Sequence, residues 1–270
     1  YEASRLDDSE THKMLSKTYP YTILITEDDD EVRCFLEREL SPHFKTRTAA
    51  NGKDALRVLE EEEISLVVSD VMMPEMNGFE LCRMIKSQLP FSHIPVILLT
   101  ALTDERQRIF GITGGADDYI QKPFHTDYVK IKIIHLLQER QKLRERLLEK
   151  LRDNKLLLSE PEKVESIDDA FLRKFAEQIE AVYADPEYNV EKLSETLGLS
   201  RGHLHRKIKE LTGTAPVEFL RTYRLNKATQ LLRQNAYTVS EVAYRTGFSS
   251  PAYFSKCFKA VYGVTPTEYQ

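Results

Sequence analysis

From Tyr21 to about Gln138 the chain alternates short apolar, β-branched runs with amphipathic stretches of helical period. Strands are predicted over Thr22–Thr26, Phe44–Ala49, Leu66–Ser69, Val96–Thr100 and Asp118–Gln121. Helices are predicted over Glu31–Leu40, Gly52–Glu61, Gly78–Ser87, Asp104–Gly111 and Asp127–Leu137. Five strands and five helices in strict alternation predict a parallel sheet with helices on both faces, whose ligands sit just beyond the carboxyl ends of the strands.

Beyond that region the pattern changes. A charged helical run extends from about Ile133 to Leu158, with apolar positions near Leu136, Leu143, Leu147 and Leu151. Its spacing suits either a short coiled-coil stem, which Arg140 interrupts, or a solvated linker helix. Pro161 and its polar neighbours mark a boundary. From Ser166 every pattern is helical, and one unit occurs twice. Val190–Gly198 matches Val239–Gly247 at an offset of 49 residues, with a small residue, Ser194 or Ala243, four before each glycine. After one inserted residue Ser200 matches Ser250, Leu204 matches Phe254, Arg206 matches Lys256, Gly213 matches Gly263 and Pro216 matches Pro266. Such a repeat is one supersecondary unit present twice.

Length and charge refine this picture. A chain of 270 residues with 41% hydrophobic content supplies two ordinary cores. The net charge of −5 hides an asymmetry: residues 166–270 hold 14 Lys and Arg against 12 Asp and Glu, leaving 24 against 31 for residues 1–165. The basic excess places any nucleic-acid contact at the C-terminal end. Cys34, Cys82 and Cys257 lack metal-ligand or redox spacing and sit among apolar neighbours, so they read as reduced, buried thiols of a cytoplasmic protein. No stretch approaches the roughly 18 apolar residues of a membrane span.

The strand ends carry the candidate chemistry. Glu27 and Asp28 follow the first strand, Asp70 the third, Thr100 closes the fourth and Lys122 follows the fifth, all on one rim of the sheet. Oxygen ligands from Glu27, Asp28, Asp70 and the Met72 carbonyl suit Mg²⁺ better than zinc or copper. With that charge screened, Asp70 can act as a carboxylate nucleophile toward a phosphoryl donor. The segments Ile-Thr-Glu27-Asp28-Asp-Asp-Glu-Val-Arg33, Ser-Asp70-Val-Met-Met-Pro74-Glu-Met-Asn-Gly78, Leu-Leu-Thr100-Ala101 and Tyr119-Ile-Gln-Lys122-Pro123-Phe124 together resemble the two-component receiver domain, a flavodoxin-like α/β fold. By that resemblance Asp70 is the phosphoacceptor, Asp28 a direct metal ligand and Glu27 a water-mediated one. Lys122 then pairs with the phosphoryl group and its bond to Pro123 is cis. Thr100 and Tyr119 form a switch in which Thr100 draws inward and Tyr119 turns from solvent toward the core. The alternative reading of Tyr119 is an edge-strand aromatic only.

Each C-terminal repeat reads as a helix, a glycine turn and a second helix opened by serine, with the second helix suited to the DNA major groove. In the first copy Leu204 and Ile208 face the core, which turns Ser200, Arg201, His205, Arg206 and Lys209 toward DNA. Arg206 is the candidate guanine reader, while Arg201 and Lys209 suit the phosphate backbone. In the second copy Tyr253, Phe254 and Phe258 are read as packing residues, and Ser250, Pro251, Ala252, Ser255 and Lys256 are presented. Arg221, Arg224 and Lys227 on the connecting helix read either as a solvated face or as phosphate contacts. Leu-Ser-Glu-Thr-Leu-Gly-Leu-Ser, Val-Ser-Glu-Val-Ala-Tyr-Arg-Thr-Gly-Phe, Tyr253-Phe-Ser-Lys-Cys-Phe-Lys and Tyr-Gly-Val-Thr-Pro266 resemble the AraC-type DNA-binding domain. Gly202 departs from it, since many relatives carry a bulkier residue there.

The expected organisation is a polar tail or linker over 1–20, a receiver over 21–138, a helical linker over 139–165 and an AraC-type domain over 166–270. The resemblances imply a DNA-binding transcription regulator with no external substrate. Its partners would be a histidine kinase, in cis as in a hybrid two-component protein or in trans, and promoter double-stranded DNA. By the same resemblances, and with the helical stem, a homodimer would form on phosphorylation. Two other classes compete. An adaptor that no longer binds DNA would lack Arg201, Arg206, Lys207 and Lys209, and a phosphate-ester hydrolase would need a substrate pocket and a cap domain.

Overall fold

The computed structural model describes residues 14–101, 115–152 and 166–270. The predicted helix Asp104–Gly111 and the boundary at Pro161 lie outside them. The chain divides into two compact units between Lys142 and Leu143.

The first unit is a five-stranded parallel sheet in the order β2-β1-β3-β4-β5. Its described elements are β1 Thr22–Thr26, α1 Asp30–Leu40, β2 Lys45–Ala49, α2 Gly52–Glu61, β3 Leu66–Asp70, α3 Gly78–Ser87, β4 Val96–Thr100, β5 Asp118–Gln121 and α4 Thr126–Arg152. Strands β3 and β4 are buried at all five positions, as central strands covered on both faces must be. Alternation sends Ile23, Ile25, Val68, Ile97 and Leu99 into one core and Leu24, Val67, Val96 and Leu98 into the other. Each early helix starts on a side-chain cap: Asp29 for α1, Asn51 for α2, and Asn77 with Glu80 in a capping box for α3.

Three details differ from the sequence reading. Phe44 is buried but precedes β2, because its amide bonds back to Leu40 O in the turn closing α1. The predicted helix Asp127–Leu137 and the charged helical run after it are one continuous helix, α4, through Arg152, since no Gly or Pro interrupts a run of strong helix formers. The end of the presumed tail is folded: Met14, Tyr19 and Tyr21 pack on the first core, and the Tyr19 ring stacks on Phe44 at 5.6 Å.

The second unit, described from Ser166, is all helical: α5 Ile167–Val182, α6 Val190–Leu197, α7 Arg201–Thr212, α8 Pro216–Arg233, α9 Val239–Arg245, α10 Pro251–Tyr262 and α11 Pro266–Tyr269. Helices α6–α7 and α9–α10 are the two copies of the repeat, joined by α8. Ser200 caps α7 and Ser250 caps α10. Gly198 and Gly247 turn the chain at φ +68° and +80°, in the left-handed region. Leu225, Ala228, Val242, Phe254 and Phe258 form one core, and Phe175 meets Phe219 edge-on at 4.7 Å beneath the first copy.

Candidate functional site

Strand ends bring the acidic residues together. Glu27 is 3% exposed and Asp70 6% exposed, whereas Asp28 stands in solvent. Carboxylate oxygens of the three lie within 4.8 Å of one another. The Arg33 guanidinium donates to the Glu27 carbonyl at 2.7 Å and so fixes the turn after β1. Lys122 Nζ reaches Glu27 Oε2 at 2.9 Å and Asp70 Oδ1 at 2.5 Å. The Lys122 amide donates to Thr100 O at 2.7 Å, and Thr100 itself is buried at the end of β4. The Met72 amide donates to Asp70 Oδ2 at 2.8 Å, which holds the loop carrying the candidate Met72 ligand against the same carboxylate. The Lys122–Pro123 peptide is cis.

Gathering three carboxylates is electrostatically costly. Burial pushes the Glu27 carboxyl above its ordinary range; Asp70 and Asp28 add to this, while the bond from Lys122 opposes it. Burial pulls the Lys122 ammonium down, but bonding to Asp70 and Glu27 more than compensates and raises it. The lysine therefore stays charged while the trio keeps uncompensated negative charge. An all-oxygen donor set of this charge fits a hard divalent cation such as Mg²⁺.

A constraint that sequence reasoning passed over is Gly78. A Cβ there would stand 2.1 Å from Asp70 O, and the Gly78 amide donates to Val71 O at 3.0 Å. The glycine lets α3 begin directly against the Asp70 backbone; the only signal in the sequence was its place eight residues after Asp70, at the end of the receiver-like segment. Tyr119 is half-buried against the second core with its hydroxyl enclosed, and burial pushes that hydroxyl up to about 12. The side chain thus already points inward here, unlike the outward starting position expected of it.

In the second unit the repeat places its second helices with one face packed and one open. On α7, Leu204 and Ile208 are buried, Arg201, His205 and Lys209 are exposed and Arg206 is half-buried. Arg201 pairs with Glu191 at 2.7 Å across an exposed surface, a weak bond that a phosphate can replace. On α10, Ala252, Tyr253 and Lys256 are exposed, and Pro251 and Ser255 are partly so.

Two family models match this chain: the response regulator receiver domain over residues 23–134, and a helix-turn-helix domain over residues 193–270. The chain carries a response regulator receiver domain. Its receiver leads into a helix-turn-helix domain of the AraC type. Histidine kinase P4 of Formosa agariphila is 37% identical over 98% of this chain and 19% of its own length. The transcriptional regulatory protein GltR of Pseudomonas aeruginosa is 43% identical over 44% of this chain and 50% of its own. The receiver domain of a signal transduction histidine kinase from Syntrophus aciditrophicus is 38% identical over 44% of this chain and 91% of its own, with a TM-score of 0.43. The chain thus spans about a fifth of the first relative and half of the second.

Within the helix-turn-helix domain several cations have structural partners that spacing did not reveal. Lys207 is fully buried, 2.6 Å from Asp168 and over the Phe171 ring, so it is removed from the DNA-facing set. Arg224 donates to the carbonyls of Tyr183 and Asp185 at 2.7 and 2.6 Å, and Lys227 pairs with Glu180 at 2.9 Å. These two are neither solvated nor set for phosphate, because they brace α8 against α5 and the chain leaving it. Tyr253, expected to pack, is 51% exposed.

The cysteines also separate. Cys34 is exposed on α1, off the face of Leu36 and Leu40, whereas Cys82 and Cys257 are buried. Burial raises the Cys82 thiol to about 11. Native alkylation with iodoacetamide near neutral pH is therefore expected to modify Cys34 alone, read by peptide mass mapping. Equal labelling of Cys82 would contradict the packing described.

Proposed function

We propose that the chain is a phosphorylation-controlled transcription regulator. Asp70 accepts a phosphoryl group from a histidine kinase, in cis or in trans, and the helix-turn-helix domain binds promoter double-stranded DNA. The observation that carries this reading is Lys122 Nζ bridging Glu27 and Asp70 within a three-carboxylate cluster, in a chain that also presents two reading helices. Asp28, Asp70 and the Met72 carbonyl would hold Mg²⁺ directly and Glu27 through water; bound there, the ion supplies positive charge against the crowded oxygens. An Asp70 carboxylate oxygen forms the new P–O bond as the donor's P–N bond breaks, and the departing imidazole keeps the electron pair and takes up a proton. Lys122 stays protonated and pairs with the transferred group. The Thr100 hydroxyl donates to a phosphoryl oxygen, and Tyr119 in its inward position marks the signalling form of the receiver's outer face.

The protein has no external substrate in this reading; its chemistry is its own modification. We place it in the cytoplasm, where the kinase and the DNA are both reachable; no described helix is long and apolar enough to cross a membrane. Domain limits follow the sequence reading, with 14–20 counted to the receiver. Phosphorylation drives homodimerisation, so light scattering should show a doubled mass on adding beryllofluoride and Mg²⁺. A monomer throughout would remove that part.

Incubating the chain with phosphoramidate and Mg²⁺ and weighing it intact tests the reading: one phosphoryl adduct is expected, absent with a chelator. For the DNA end, Arg206→Ala should lose about 1–3 kcal/mol of specific affinity and relax base preference at one position. Lys209→Ala should weaken all sequences alike and lower the slope of log affinity against log salt by about one. Titrations across salt concentrations separate the two, and identical behaviour of both variants would contradict the assignment.

A further inference from the structure

The two reading helices offer DNA different chemistry. On α7 the outward residues are Arg201, Gly202, His205, Arg206 and Lys209, a set of charged and polar donors around a glycine with open space about it. The outward start of α10 is Pro251, Ala252 and Tyr253, which has no long cation until Lys256. An α-helix entering the major groove meets base edges with its N-terminal residues. There, α10 presents a methyl group and an aromatic ring.

Tyr253 is held in that position from inside the domain. Its ring lies 6.3 Å from Phe248, itself buried, and its amide donates to the Ser250 cap at 3.3 Å. The Arg221 guanidinium of α8 pairs with Glu218, and that carboxylate together with the nearby Tyr253 side chain holds it more basic. What the tyrosine offers DNA is its ring, with half of the residue in solvent. The apolar feature of the major groove is the 5-methyl group of thymine.

We propose that α10 reads thymine methyl groups through Ala252 and Tyr253, so that the second copy of the repeat sets specificity by apolar contact while α7 sets it by hydrogen bonding. The inference rests on the DNA-binding reading given above.

The test uses the full chain and a duplex that it selects from a random-sequence library. Each thymidine is then replaced singly by deoxyuridine, which removes the methyl and keeps every hydrogen-bonding group. Burying one methyl-sized group corresponds to roughly a fourfold change in affinity. A loss of that size is expected at one or two thymines in one part of the site. Those positions should become insensitive in Tyr253→Ala or Ala252→Gly and stay sensitive in Tyr253→Phe, whose ring is kept. Circular dichroism and the unchanged effect of Arg206→Ala show that the variants are folded. Specific binding that is indifferent to deoxyuridine, or equally sensitive in Tyr253→Ala, overturns the inference and leaves the DNA-binding reading intact. A library from which nothing is selected overturns both.

Discussion

Asp70→Asn is expected to abolish phosphoryl uptake, lowering the rate by at least about a thousandfold, while leaving the receiver folded. The amide keeps the shape of the carboxylate but only one oxygen, so it accepts from either Lys122 Nζ, which reaches Oδ1 at 2.5 Å, or the Met72 amide, which reaches Oδ2 at 2.8 Å, a loss that the removal of charge offsets. It lacks the negative oxygen that must attack phosphorus. Removing one charge from three carboxylates within 4.8 Å also relieves repulsion, so the melting temperature of the receiver should not fall. Intact mass after phosphoramidate treatment, beside a thermal melt, reads both quantities. A phosphorylated, stable Asp70→Asn chain would move the acceptor to another side chain.

The second large effect is at Gly247. Its φ of +80° requires the left-handed region, and an added Cβ would stand 2.1 Å from Tyr183 O and 2.8 Å from Arg224 Nε. Gly247→Ala therefore meets a backbone penalty of about 1 kcal/mol and must also displace Arg224 from two carbonyls, at about 1.5–3 kcal/mol for each charged hydrogen bond broken. A total of roughly 4–7 kcal/mol is a large part of the stability of one domain and should lower its melting temperature by about 15 °C or more. Gly198 is the control. Its φ is +68°, but nothing lies within 4 Å of the Cβ position, so Gly198→Ala should cost only the backbone part, about 1 kcal/mol. Calorimetry showing equal losses at both glycines would contradict the clamp between Tyr183, Arg224 and Gly247.

These two sites differ in how far the sequence announces them. The carboxylate cluster is legible because parallel strands end on one rim, so residues placed just after each strand must converge. Glu27, Asp28, Asp70, Thr100 and Lys122 all do. The strands β1, β4 and β5 are also found where alternation places them. Long-range partnership is a different matter. The contacts of Arg224 with Tyr183 and Asp185 join residues about forty positions apart, and no local period encodes them.

Lys207 is an intermediate case. It lies three residues after Leu204 and four before Leu211, on the buried stripe of α7, so the period did place it inward. Its charge argued the other way, and only Asp168 together with the Phe171 ring makes its burial tolerable. The same stripe logic leaves Cys34 off the Leu36–Leu40 face despite its apolar neighbours. Tyr119 lies on β5 three residues before Lys122, but its side-chain rotamer depends on the space around it rather than on sequence spacing.

The central claim is that charge placed on Asp70 changes how the helix-turn-helix domain binds DNA. The direct measurement is fluorescence anisotropy on the promoter DNA upstream of the chain's own gene, at one stated salt concentration. Wild type and Asp70→Ala are each titrated with and without beryllofluoride and Mg²⁺. Coupling predicts that the mimic tightens specific binding by about tenfold in wild type and leaves Asp70→Ala unchanged. Specific binding of equal strength in all four titrations would contradict it.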